Sequence, residues 1–412
     1  MPRIVLVAGT YRPERCGVAH YVQRLRSALE ERGVSSLVLT IEDAARASKD
    51  PNVRGVVRGW GPADLPALAR AVSRTIRDER ADVIHIQHAA GTYGFKRAVF
   101  FLPPLLRAVG VRAPLVTTVH EYDWWEWEPR FVPRRALEAL KEWGQRCGLW
   151  DREDGFLLTG SDALLTTNAP IEVAIKTRLP RLAPHLHRIP LVANIDVAPI
   201  GYDEAREGAR YRYGWPPDAE IIAFFGFLHP VKGLETLLSA FERVLEGRPR
   251  ARLLLVGGVE SLALRGEEAA WYWDKLRALV EELGLDGMVE MTGYVPEQEA
   301  SRLLSGVDVG VLPFNHGVTL KSGTLLALLA HGLPVVVTRP DPPEPELADG
   351  RLARVVERRD AFGLASALSK LLADAAERAR LGEAGRAYTQ GLSWTAIARR
   401  HVEVYETVLS EP

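Results

Sequence analysis

Ile221 to Leu238 reads IIAFFGFLHPVKGLETLL. Its first six residues are apolar and rich in β-branched and aromatic types, the composition of a strand covered on both faces. Leu234, Leu237 and Leu238 then fall at helical spacing, and between strand and helix lies a loop bounded by Gly226 and Gly233 that carries Lys232. Strand, glycine loop and helix form the opening unit of a doubly wound parallel sheet. The same rhythm continues through Arg252 to Val256, Met288 to Met291, Val309 to Leu312 and Pro334 to Thr338. The first half repeats it with Ile4 to Ala8, Ser36 to Leu39, Val83 to Ile86, Leu115 to Val119 and Ala163 to Thr167. The expected fold is therefore α/β, with two Rossmann-like doubly wound domains facing a cleft. Their expected bounds are 1–197 and 220–391. Residues 198–219, rich in Gly, Pro, Tyr and charge, are read as the linker, and a capped amphipathic helix follows in 392–412.

A chain of 412 residues accommodates two or three domains of roughly 100 to 200 residues each, which excludes a disulfide-stapled peptide. The formal charge is −1, from 52 Lys+Arg against 53 Asp+Glu, so there is no whole-protein basic field to hold nucleic acid. Met1 to Thr10 is too short in its apolar part for a signal peptide, and no run of about 18 apolar residues offers a membrane span. Cys16 and Cys147 make no CxxC pair, so neither a zinc nor a redox motif is expected, and a reducing cytoplasm is the simpler location. Only eight of the 52 basic residues are lysines, which makes Lys232 and Lys321 worth placing.

Ligands of doubly wound sheets sit beyond the carboxyl ends of the strands, so the chemistry is sought there. Gly9 to Val22 (GTYRPERCGVAHYV) runs from the first strand into a helix through Gly17, and it is neither GxGxxG nor a P-loop. Lys232, between Pro230 and Gly233, can bring an ammonium to a phosphate at the next helix mouth. In Leu312 to Val337 (LPFNHGVTLKSGTLLALLAHGLPVVV), Gly317 and Gly323 bracket Lys321 and two hydroxyl residues just before an apolar helix. Plain turns and a solvated lysine are the ordinary alternatives, yet three helix mouths that can receive an anion point together to a diphosphate. His120 leaves a strand end beside Glu121 and Asp123 and is assigned to substrate contact. His85 and His88 point to opposite faces of their strand and do not converge on a metal. Five of the ten tryptophans, Trp124 and Trp125 among them, fall within the 27 positions 124–150 that follow shortly after His120, where they suit a sugar-stacking lid, a core or a membrane-facing edge.

Six segments, taken in order, resemble the GT-B glycosyltransferases of family 4 over nearly the whole chain. They are Cys16 to Leu25 (CGVAHYVQRL), Asp82 to His88 (DVIHIQH), Val116 to Glu121 (VTTVHE), Phe225 to Leu238, Gly293 to Val295 (GYV) and Gly332 to Thr338 (GLPVVVT). Ser393, Trp394 and the helix after them are similar to the family's last helix, which crosses back to the first domain. The resemblance implies a retaining, metal-independent transfer of a sugar, most often a hexose, from a nucleotide diphosphate donor, with no cofactor. It gives Lys232 and His120 the catalytic roles, Lys232 on the leaving diphosphate and His120 on the donor sugar. It gives donor binding to Gly17, Val18, His229, Tyr294, Val318, Thr319, Leu320, Lys321, Ser322, Gly323 and Thr324, with the backbone of Gly17 and of Val318 to Leu320 on the phosphate oxygens. Glu121, Asp123, Trp124 and Trp125 fall on the acceptor side. The partners expected are a nucleotide sugar and a glycan, lipid-linked or small-molecule acceptor, with no nucleic acid. The location expected is cytoplasmic, with peripheral contact at the inner membrane face as an option.

Two departures stand out. Phe227 occupies the place of a frequent arginine, and the family's Glu-x7-Glu pair aligns with Thr319 and Ala327. A degenerate nucleotide-sugar or glycan-binding protein on the same fold is therefore an alternative. A sugar-nucleotide epimerase, or a phosphorylase with a pyridoxal lysine, is another.

Overall fold

The computed structural model describes residues 1–122 and 132–410. The chain divides into two compact units, Met1–Pro190 together with Trp394–Pro412, and Leu191–Ser393.

The first unit holds β1 (Arg3–Ala8), β2 (Ser35–Ile41), β3 (Val53–Val57), β4 (Val83–His88), β5 (Leu115–Val119), β6 (Ala163–Thr166) and β7 (Leu186–Arg188) in one parallel sheet of order β3-β2-β1-β4-β5-β6-β7. The central strands are buried along their length because helices cover both faces, and this is why their sequences are continuous apolar runs. In the register of β4 against β5, Gln87 lies opposite Thr118 and His85 opposite Val116. His85, Gln87, Thr118 and His120 therefore share one face of the sheet. The C-terminal helix Trp394–Ser410 belongs to this unit, and Ile397, His401, Val404, Tyr405 and Val408 form its buried stripe.

The second unit holds β8 (Glu220–Phe225), β9 (Ala251–Val256), β10 (Val289–Met291), β11 (Val309–Leu312), β12 (Val335–Thr338) and β13 (Arg354–Val356), a parallel sheet of order β10-β9-β8-β11-β12-β13. Counted within the unit this is the 3-2-1-4-5-6 order of a doubly wound sheet, and its switch point lies between β8 and β11. The two loops that carry Lys232 and Lys321 follow those two strands.

Residues 198–219, expected to be a linker, are instead part of this unit. Tyr202–Arg212 is a helix whose Ala205 and Ala209 are buried, and Tyr202 Oη donates to Asp308 Oδ1 at 2.7 Å. Small residues at 205 and 209 seat the helix while its remaining positions are polar, so no broad apolar face marked it in the sequence. Among the described residues no helix is long and apolar enough to cross a membrane.

Candidate functional site

In the second unit, β8 ends at Phe225, and His229 opens a short turn, Pro230–Lys232, by accepting from the Val231 amide at 3.3 Å. Because Nδ1 of His229 accepts that proton, the ring is neutral and Nε2 is its donor. Burial, then Lys232, hold its pKa below the ordinary value. Gly233 takes φ +69° at the helix mouth, and a Cβ there would run into the Pro313 carbonyl. The loop after β11 packs back on this turn, with Asn315 Nδ2 donating to the Pro230 carbonyl at 2.9 Å and the Asn315 amide to that of Val231 at 3.0 Å.

The half-buried Lys232 places its ammonium 3.7 Å from the centroid of Phe314, a cation on an aromatic face. Neither Lys232 nor Lys321 meets a carboxylate among the described residues. Burial, and then the Lys321 charge, lower the Lys232 pKa to about 8. A desolvated ammonium beside a second one, on an aromatic face, is an arrangement that favours an anion.

Donors surround it. Gly317, at φ +83° against the Arg339 carbonyl, turns the chain so that the Val318 amide donates to Thr338 O at 3.0 Å. The Leu320 amide donates to Oε2 of the buried Glu344 at 2.6 Å. This corrects the expectation that the amides of Val318 to Leu320 are all available to phosphate, since two of the three are already engaged. Within residues 318–324, the amides without an acceptor among the described residues are those of Thr319, Lys321, Gly323 and Thr324. Ser322 caps the helix Gly323–Ala330 through the Leu325 amide at 3.3 Å, and its hydroxyl meets that of Thr324 at 2.9 Å. Ala327 is fully buried in that helix and presents no polar group. Tyr294, nearly half exposed, sits on the turn beyond β10 with its backbone against Gly258.

In the first unit, Gly17 begins the helix Gly17–Glu30 with open space where a Cβ would stand, and no acid occupies the first turn. The Val18 and Ala19 amides lie against the Cys16 thiol, whose pKa burial raises. His120 is buried at the end of β5, its Nε2 2.9 Å from Gln87 Oε1, and its ring stands edge-on to Tyr21 with centroids 4.9 Å apart. Glu121 accepts from the Ala90 amide at 3.0 Å, which ties the two strand ends together. His85 and His88 diverge as their alternation requires: His85 meets Thr118 and Tyr405, while His88 meets the buried Asp154 at 3.3 Å. Asp123, Trp124 and Trp125 lie outside the described residues. No group of three or more His, Cys, Asp or Glu that could hold a metal occurs among the described residues.

Sequence reasoning missed Glu344, Phe314 and Gln87. Glu344 lies in a proline-rich stretch, DPPEPE, with no period to place it, and only pairing with a distant amide gives it meaning.

Two parallel doubly wound units, one ending in a helix that returns to the other, define the GT-B class of transferase. Residues 16–191 match the model of the glycosyl transferase 4-like domain and residues 219–374 that of glycosyl transferases group 1, and the chain belongs to the GT-B glycosyltransferases, family 4. A D-inositol 3-phosphate glycosyltransferase of Corynebacterium urealyticum is 31% identical over 55% of this chain and 53% of its own length. In that comparison the chain spans about half the length of the curated relative it matches. The protein of the same description from Segniliparus rotundus is 26% identical over 95% of this chain and 85% of its own. HepE of Anabaena, solved in complex with UDP and glucose, superposes with a TM-score of 0.68 at 16% identity, covering 99% of this chain and all of its own, and so shares the fold.

Proposed function

We propose that the protein is a retaining, metal-independent glycosyltransferase that moves a sugar from a nucleotide diphosphate donor to an acceptor hydroxyl. The observation that carries this reading is Lys232, an ammonium of lowered pKa on the Phe314 face, beside Lys321 and without a carboxylate. As the bond to the sugar breaks, negative charge collects on the diphosphate. Groups that meet this charge better than they meet the bound donor lower the barrier. Lys232 and Lys321 supply two charges, His229 an Nε2–H, and Thr319, Lys321, Gly323 and Thr324 their amides. In this reading Tyr294 flanks the base, Ser322 lends its hydroxyl, and in the first unit Gly17 and Val18 serve the phosphates while His120 serves the sugar. With two lysines in the place a divalent cation would fill, no metal or other cofactor is needed. Glu121 belongs to the acceptor side. A polyol phosphate is the first acceptor to try, because that is what the relatives' names carry. A lipid-linked acceptor would bring the protein to a membrane surface on the cytoplasmic side.

The test is a panel of nucleotide sugars and acceptors run in EDTA, with mass spectrometry of products and NMR of the new anomeric centre. Absence of any product, or an inverted centre, overturns the reading. The buried Ala327 and the missing glutamate at 319 favour a second reading, a protein that binds the nucleotide sugar without turnover. It predicts a raised unfolding temperature with donor and no product with any acceptor.

A further inference from the structure

Behind His120 lies a row of polar side chains that the reaction as argued above does not use. Gln87 Oε1 is 2.9 Å from His120 Nε2, and Gln87 Nε2 is 2.9 Å from His85 Nε2. His85 Nδ1 is 2.7 Å from the hydroxyl of Tyr405, on the helix Trp394–Ser410, and Thr118 Oγ1 stands 2.7 Å from His85 Nε2. Gln87, His85 and Tyr405 are fully buried, and His120 nearly so.

A core position costs nothing extra when filled by an aliphatic side chain, whereas each buried polar group must find its partners or cost about 1–3 kcal/mol. Four such groups in series are a poor way to fill space and a good way to fix direction. The amide is the informative link. Its nitrogen only donates and its oxygen only accepts, so with nitrogen toward His85 and oxygen toward His120 it imposes one polarity along the row. His120 then carries its proton on Nε2, His85 Nε2 accepts from both the amide and the Thr118 hydroxyl, and His85 Nδ1–H donates to Tyr405. Tyr21 closes the other side of the His120 ring by its edge-on contact, and its own hydroxyl lies 3.4 Å from His401 Nε2 on the same C-terminal helix. Since His401 Nδ1 is 2.8 Å from the Ile397 carbonyl, it holds the proton there and Tyr21 donates to Nε2. Gln87, through His85, and Tyr21, directly, are thus both anchored on Trp394–Ser410.

We infer that Gln87, His85 and Tyr405 are positioning residues that set the ring orientation and tautomer of His120, so that the seating of the C-terminal helix governs how His120 meets the donor sugar. This rests on the reading of His120 as a sugar contact.

Two measurements on the full-length protein test it. Long-range proton–nitrogen NMR of the imidazoles should show His120 protonated on Nε2, and Tyr405→Phe, three hydrogen bonds away, should shift its ring nitrogens. Unchanged nitrogens in Tyr405→Phe, or a proton on Nδ1 in the wild type, overturn the inference whether or not the protein turns over any donor. In kinetics, Gln87→Met should lower kcat on the order of 10- to 100-fold with the donor KM within about two-fold, and Tyr405→Phe should do so more weakly, both in protein that stays folded at the assay temperature although each loses about 1–3 kcal/mol of stability. In a His120→Ala background both losses should vanish. Equal losses with and without His120 would show that the row acts on folding alone and would sink the positioning role. A His120→Ala protein of full activity would instead remove the sugar-contact reading, and the catalytic part of the inference with it.

Discussion

The strand ends of the two units treat polar groups in opposite ways. Beyond β8 and β11, charge is gathered without a protein counter-ion: among the described residues Lys232 and Lys321 meet no carboxylate, and the amides of Thr319, Lys321, Gly323 and Thr324 have no acceptor. Beyond β4 and β5, neutral groups are buried and bonded to one another, from Tyr405 through His85 and Gln87 to His120. A cationic loop without a carboxylate partner favours the binding of an anion. A satisfied neutral row favours no ligand in this way and holds an orientation instead. In the proposed function, the same fold thus makes one site that receives charge and another that aims a side chain.

The sharpest way to break this contrast is Lys232→Ala. If the ammonium meets charge that grows in the transition state, kcat/KM should fall by about 10²- to 10³-fold, while Lys49→Ala should change it by less than about two-fold. Comparable losses from the two would remove the phosphate assignment. Second, the two sites should fail at opposite ends of the pH scale. Burial pushes the His85 pKa well below its usual value and that of His401 to about 4. A histidine kept neutral in the fold takes up its proton more readily when unfolded, so its stabilisation is complete above about pH 6.5 and is lost as pH falls toward 4. Denaturant unfolding of the wild type should therefore lose stability from pH 6.5 downward faster than that of His401→Gln, by about 1.4 kcal/mol per pH unit. Parallel curves would show that His401 does not stay neutral.

At the other end, the Lys232 pKa is lowered to about 8 in the free protein. A bound diphosphate holds that proton, so affinity is complete about one unit below that value and weakens as pH rises through it, by up to about ten-fold per unit until the bound-state pKa is reached. Calorimetric titration with a nucleoside diphosphate at pH 7, 8 and 9 checks the sign, and affinity that does not change over this range removes Lys232 from the phosphate.

How much of this contrast could be read in the sequence follows from burial. The central strands of both sheets are covered on both faces and appear as apolar runs that need no context. The strands not anticipated are Val53–Val57, Leu186–Arg188 and Arg354–Val356, each at a sheet edge, where half-exposed positions admit Arg, His and Gly and dilute the signal. In the site, Lys232 and Lys321 were legible because charge between glycines after a buried strand is improbable as filler. Gln87 was not, because an amide inside an apolar strand gains its meaning only from His85 beside it and His120 on the next strand. Nor could spacing tell that the Val318 and Leu320 amides are taken, since their acceptors, Thr338 and Glu344, are about 20 residues away.

A smaller effect tests the company that Lys232 keeps. Phe314→Leu removes the ring face but leaves an apolar wall, at a cost of about 0.5–2 kcal/mol for a cation on an aromatic. The free ammonium loses more than the diphosphate-bound one, which has a better partner. The expected result is a further lowering of the Lys232 pKa, seen as an earlier alkaline fall in affinity, with affinity at pH 7 changed only a few-fold.

The finest distinction lies between the two causes that lower the Lys232 pKa, burial first and the Lys321 charge second. Lys321→Ala removes only the second, so the alkaline limb should move to higher pH, by less than the part that burial accounts for. At pH 7 the same variant should bind diphosphate more weakly, because one of two cations is gone. Weaker binding together with a later alkaline limb is a signature that loop damage does not produce, since a distorted loop would lower affinity equally at every pH. If the limb stays in place, the two lysines do not share one anion site, and the contrast between the two units rests on Lys232 alone.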